Sequence, residues 1–368
     1  MHRPIPLGRL DSLAVGALAA VALAGCSVLG VASGAPATAT PRATAAPAAA
    51  LAADTPFVPA SIAFWDAANG IAVGTAAAGG EIGTGRATGA VAVTADAGKS
   101  WRLARLGSGP LASVTVAGAA SAWATGTCPA AGACAADLYR TDDRGRSWTR
   151  LPGVGLVDMA FGDDRSGWAL PVGARTPGLP TFLARTSDGG ASWGSGPAPC
   201  TAVHLEPQAV SFVAATRGLV VCVGDPTKDG QAKAVTATTD GGATWATVAA
   251  VGIAAAVDAS PAPKAGAGQG SGGLPLHGLV RDVAAVPGGP VWLVTSTPAV
   301  LASDDGGRTW TPIPVPAPPL SAWPLGHGAG FILVHDAKAG TLVLLGTADG
   351  GKTWPAATTW PAAIPAPS

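Results

Sequence analysis

The chain has 368 residues, 22 basic against 22 acidic side chains, and a charged fraction of only 12%. This balance carries no electrostatic footprint of a nucleic-acid binder and gives no reason to expect an anionic lipid surface as partner. The length is ample for one large core, although the hydrophobic fraction of 48% is inflated by Ala.

Residues 1–25 read as an export signal. Arg3 and Arg9 precede an apolar run, Leu13–Ala24, which is too short to span a bilayer and suits a signal-peptide core. The run ends at Leu23-Ala24-Gly25-Cys26, the bacterial lipobox pattern, in which cleavage precedes the Cys and its sulfur receives a lipid. Cys26 is therefore the expected lipidation site. The mature chain is expected to be exported and lipid-anchored to the bacterial cell surface or the periplasmic face of a membrane. Residues 26–56 start with this Cys and continue in Ala, Pro and Thr. They carry no periodic large apolar side chains, so they read as a tether.

From residue 57 to residue 368 one unit recurs. A short apolar strand comes first, as in Ser61-Ile62-Ala63-Phe64 or Asp158-Met159-Ala160-Phe161. A polar turn and a second strand follow, as in Asp66–Gly70 and then Ile71–Gly74. The third strand runs into an eight-residue motif, [Ser/Thr]-x-Asp-x-Gly-x-[Ser/Thr]-Trp, and a fourth leaves from its Trp. The motif occurs six times, with its Asp and Trp at Asp96 and Trp101, Asp143 and Trp148, and Asp188 and Trp193. The later copies carry Asp240 and Trp245, Asp305 and Trp310, and Asp349 and Trp354. The motif chemistry is that of a hairpin turn. A carboxylate accepts backbone N–H bonds a few residues on, a Gly supplies positive φ, and a Trp ring pins the turn.

The copies begin 47, 45, 52, 65 and 44 residues apart, close to the size of one four-stranded propeller blade. The fold expected is all-β, a six-bladed β-propeller. The long step holds an Ala/Gly/Pro/Ser-rich stretch, about residues 257–273, read as a flexible insertion, with a degenerate seventh blade as the alternative. No leftover C-terminal strand is evident to complete the first blade, so the sequence leaves the closure of the ring open, with Phe57-Val58 as a possible contributor.

Four Cys follow Cys26. An even count outside the cytoplasm favours disulfides, Cys128 with Cys134 and Cys200 with Cys222, with free thiols as the alternative. Their spacing does not suit zinc, and no metal or cofactor is expected.

The repeated motif is the Asp box, or BNR repeat, and over roughly residues 57–360 the chain resembles the Asp-box β-propeller proteins. That group includes sialidases and the photosystem II stability/assembly factor. A sialidase would imply a Tyr nucleophile beside a Glu, an Asp acid and three Arg on the substrate carboxylate. The chain has one Tyr, Tyr139, in the third strand of the second unit, and its two Glu, Glu81 and Glu206, lie in other units. The early Arg-Ile-Pro element of that family has no counterpart in the folded region. The inventory therefore speaks against sialidase activity. Phe64-Trp65-Asp66-Ala67-Ala68-Asn69-Gly70 is closer to the inner strands of the assembly factor, and proteins of that kind act by docking. No Arg cluster on one face is evident, so the photosynthetic role is not implied.

First strands line a propeller channel, which makes Asp158, Arg281 and Asp282 the candidate channel residues, with turn solvation as the plainer reading. His204 and Glu206 are a further outlier. Trp65 is the best candidate for a ring on which a sugar stacks, although Trp65, Trp123, Trp168, Trp292 and Trp323 all suit packing between blades. The function expected is a non-catalytic extracytoplasmic binding or scaffold protein, a monomer, that docks a protein or glycan. The alternative is a surface glycoside hydrolase of sialidase-like type or a carbohydrate-binding protein.

Overall fold

A computed structural model describes residues 45–77, 87–126, 136–171, 182–253, 271–326 and 328–363. Cys26, Glu81, Cys128, Cys134, His327 and most of the 257–273 insertion lie outside these residues.

Six antiparallel sheets form six blades, each of four consecutive strands in simple up-and-down order. The inner strands are Phe57–Phe64, Leu111–Ala117, Leu156–Phe161, Glu206–Ala214, Val280–Ala285 and Pro319–Gly326. Each packs against the inner strand of the next blade, and the last packs against the first, so together they line a central channel. Every inner strand carries a register shift near its start, for example between Leu156 and Asp158 and between Val280 and Asp282. Such bulges re-aim side chains.

The six motifs fold as one turn. The Ser or Thr hydroxyl at the first position donates to the Asp Oδ1 at 2.7–2.9 Å. It also accepts the Gly N–H at 2.8–3.0 Å. The second hydroxyl donates to Asp Oδ2 at 2.6–2.7 Å. The motif Gly has φ between 78° and 91° in all six turns, and the residue before it is left-handed too, including Ala97 and Arg144.

Several blades meet through aromatic rings. Trp123 of blade 2 stacks on Phe161 of blade 3 at 3.6 Å, and Trp168 of blade 3 stacks on Phe212 of blade 4 at 3.5 Å. Box Trp193 and Trp245 meet the same Phe rings edge-on. Ring closure uses the same device. Phe331 of blade 6 stacks on Phe64 of blade 1 at 4.0 Å, and Trp101 and Phe57 of blade 1 pack against Trp360. Among the described residues no strand is exchanged between the first and last blades, and Phe57 contributes by side-chain packing against Trp360.

Two readings of the sequence are corrected. The end of the 26–56 segment is not free tether. Ala46–Pro47 pairs with Ser147 and Trp148 on the outer strand of blade 2, and Ala49–Ala50 pairs with Ala104 and Arg105 on that of blade 1. Likewise the last residues of the insertion are docked. Ser271–Gly273 forms a 3-10 turn, Gly272 O accepts the Trp310 N–H at 2.7 Å, and Leu274 is fully buried.

Candidate functional site

The channel holds a cavity of ≈ 420 Å³. The bulge position of the inner strands carries Ser61, Ser113, Asp158, Ala209, Asp282 and Ser321 in blade order. In three of them the side chain reaches across to the next blade. Ser61 Oγ accepts the Val114 N–H at 3.2 Å, and Asp158 Oδ2 accepts that of Val210 at 3.0 Å. Asp282 accepts the Ala322 N–H. Where blade 4 has Ala209, Ser211 takes over two residues later and accepts the Ala285 N–H at 3.0 Å. Asp158 and Asp282 also accept N–H bonds from Met159 and Val283 at 2.9 and 2.8 Å. Burial pushes the Asp282 carboxyl up to about 6, against the pull of its two N–H donors.

Of the three predicted channel residues, Asp158 and Asp282 line this cavity. Arg281 does not. It sits on the other face of the strand, exposed, and donates to Pro319 O at 3.1 Å, because neighbouring strand residues point oppositely. The ends of the inner strands form an apolar mouth with Trp65, Val213, Val286, Trp323 and Leu325. Trp65 is half-buried and gives its indole N–H to Ser121 O of blade 2 at 2.9 Å, so its ring is fixed in place. The Nε1 of Trp323 and the hydroxyl of Ser321 are buried without a protein partner.

Tyr139 lies away from the channel lining. It is buried, donates to Asp137 Oδ2 at 3.0 Å, and is pushed up to about 12 by burial and by Asp137. His204 and Glu206 share a separate cavity of ≈ 390 Å³ with Asp225 and Gln231. Cys200 and Cys222 form a disulfide.

The sequence reading missed one grouping. Arg102, Arg144 and Arg146 converge on a cavity of ≈ 320 Å³ between blades 1 and 2. They belong to two boxes some 45 residues apart, so no local pattern unites them. The signal was positional: Arg fills both variable places in Asp143-Arg144-Gly145-Arg146, and Arg102 directly follows the box Trp of the preceding unit.

Fold and repeat together define the class, a six-bladed β-propeller with Asp-box turns. No family model matches the chain, and no curated protein does. Among solved structures it is similar to "YCF48 bound to D1 peptide", at 17% identity over 84% of each chain with a TM-score of 0.40. It is also similar to the Aleuria aurantia lectin, at 13% identity over 87% of this chain and 99% of the lectin, with a TM-score of 0.46. A third is a Penicillium chrysogenum alpha-L-arabinanase, at 12% identity over 82% and 94% of the two chains, with a TM-score of 0.45.

Proposed function

We propose that this chain is a non-catalytic, exported propeller that docks a protein partner or a glycan over its channel mouth, held to a membrane through lipid on Cys26. One observation carries the reading. The channel carboxylates are tied to the backbone of the next blade, in a position where Ser61 makes the same bond. Acid–base chemistry needs a carboxylate pair set across a substrate; here the pair belongs to the wall. The apolar mouth suits contact with a partner. The Leu23-Ala24-Gly25-Cys26 pattern supports the anchor, and the Cys200–Cys222 disulfide fits an oxidising compartment.

The test is a crosslinked pull-down of the tagged full-length lipoprotein from native membranes, beside a variant with Trp323 and Leu325 changed to Glu. One partner recovered near stoichiometric yield, and lost with the variant, is the expected result. A second reading, glycoside hydrolysis, draws on Asp282, whose carboxyl near pH 6 shares the cavity with Asp158. Turnover on a fluorogenic glycoside panel that Asp282→Asn abolishes would replace the docking reading with this one.

A further inference from the structure

The cavity between blades 1 and 2 has a different character from the channel. Its wall includes Trp65, Asn69, Ser100, Arg102, Arg144 and Arg146, and among the described residues no acidic side chain lines it. Its size, ≈ 320 Å³, falls within the range of small-ligand clefts, roughly 300–1,000 Å³.

Arg144 is built into the wall. It stands at the box position where four of the six turns have Gly, and it takes φ 57°, a conformation that side chains with a Cβ resist. Its Nε donates to Ala119 O at 2.8 Å, and its Nη2 lies 3.3 Å from Asp66 Oδ2. Asp66 is fixed in turn by the Ala68 and Asn69 N–H groups at 2.9 and 2.8 Å. Thus one of the three positive charges is balanced and held in place. The nearby box carboxylates, Asp96 and Asp143, are engaged by their own turns. The Arg102 and Arg146 side chains are exposed and make no hydrogen bond or ion pair among the described residues. Beside them Trp65 presents an aromatic wall, its N–H already given to Ser121 O.

We propose that this cavity is a binding site for an acidic saccharide, a uronic acid or sulfated sugar. A guanidinium fork matches a carboxylate or sulfate through two parallel N–H bonds, which a point charge does not. The apolar face of the sugar ring packs on Trp65, and Asn69 Oδ1 and Ser100 Oγ, whose own protons go to Asp66 and Asp96, accept from the sugar hydroxyls. A recessed cavity with an aromatic wall fits a ring better than it fits a flat lipid surface. This site shares Trp65 with the channel mouth but draws its charge from Arg102, Arg144 and Arg146, which do not line the channel, and the proposal holds even if the mouth docks nothing.

The test titrates the full-length chain in detergent with hexagalacturonate and a heparin-derived hexasaccharide, read by calorimetry. Neutral maltohexaose, inorganic phosphate and a soluble short-chain phosphatidylglycerol serve as comparisons. At least one acidic hexasaccharide is expected to bind, more weakly as salt rises. Arg102→Ala and Arg146→Ala should each weaken it about tenfold, with melting temperature unchanged because neither side chain holds the fold together. Trp65→Phe, which keeps a ring, should retain more affinity than Trp65→Ala. Equal affinity for maltohexaose, no binding of either acidic sugar, or binding indifferent to both Arg variants would overturn the site. Binding of phosphate or phosphatidylglycerol without the acidic sugars would overturn the saccharide assignment.

Discussion

Asp282 and Ser61 occupy the same place in different blades and accept the same kind of bond from the next blade, but only one of them titrates. Burial raises the Asp282 carboxyl to about 6 from an ordinary 3.8. Between about pH 4 and 6 the folded chain therefore holds a proton that the unfolded chain has lost. Stability falls as pH rises through that window and is level above it. The box aspartates have the opposite sign. Asp96 and Asp240 are held at about 2, first by the hydroxyls of Ser100 and Thr244, and Asp349 is held there first by the Thr353 N–H. Their contribution is present above about pH 4 and lost as pH falls toward 2. Melting temperatures taken from pH 4.5 to 7 should thus decline for the native chain and stay flat for Asp282→Asn, which keeps one acceptor oxygen and does not titrate. Parallel slopes in the two proteins would contradict this assignment. The box residues were legible in the sequence because six copies share one spacing. The role of Asp282 was not, because its partner, Ala322, lies a whole blade away. The same distance hid the convergence of Arg102 with Arg144 and Arg146.

In blades 1, 3 and 4, the turn from inner to second strand joins a ring to a glycine. Phe64, Phe161 and Phe212 each precede a Gly by six residues, and that Gly begins or nearly begins the second strand. A Cβ placed on Gly70, Gly167 or Gly218 would stand 2.4–2.5 Å from the Phe ring of its own blade. The Gly thus leaves room for the flat ring, whose other side is free to stack on the preceding blade. Gly218→Ala should drive Phe212 off Trp168 and lower stability by roughly 1–3 kcal/mol, as overpacking does. Thermal unfolding measures it, and an unchanged midpoint would show that the ring can move aside without loss. The sequence displayed this Phe and Gly pairing as strand, turn and strand. It did not show why the Gly is there, since the reason is the stacking of that Phe on a ring of the preceding blade.

Across the whole ring, the number of blades followed from counting boxes, and each blade came out as a contiguous four-strand unit. Closure was not legible. A spare strand would show in the sequence, whereas the ring joins through Phe331 on Phe64 and Trp360 beside Trp101, side chains that look like ordinary core residues. The edge pairing of Ala46–Ala50 was hidden for a related reason. An outer strand of two residues bonds through its backbone alone, so Ala and Pro there look the same as they do in a linker.

That edge pairing governs how the molecule carries load. A pull on the chain ahead of Ala46 meets the outer strands of blades 1 and 2 before it reaches Phe57 and the closing rings. Two short pairings at the rim are weaker than a blade packed on both faces, so they act as a mechanical fuse. They unzip first and release residues 46–56 as slack of about 35 Å, at roughly 3.3 Å per extended residue. Stretching single molecules between residue 45 and the C-terminus should therefore show a small early step of that length, well before any blade ruptures. If the first event is instead the loss of a whole blade, the rim does not shield the ring.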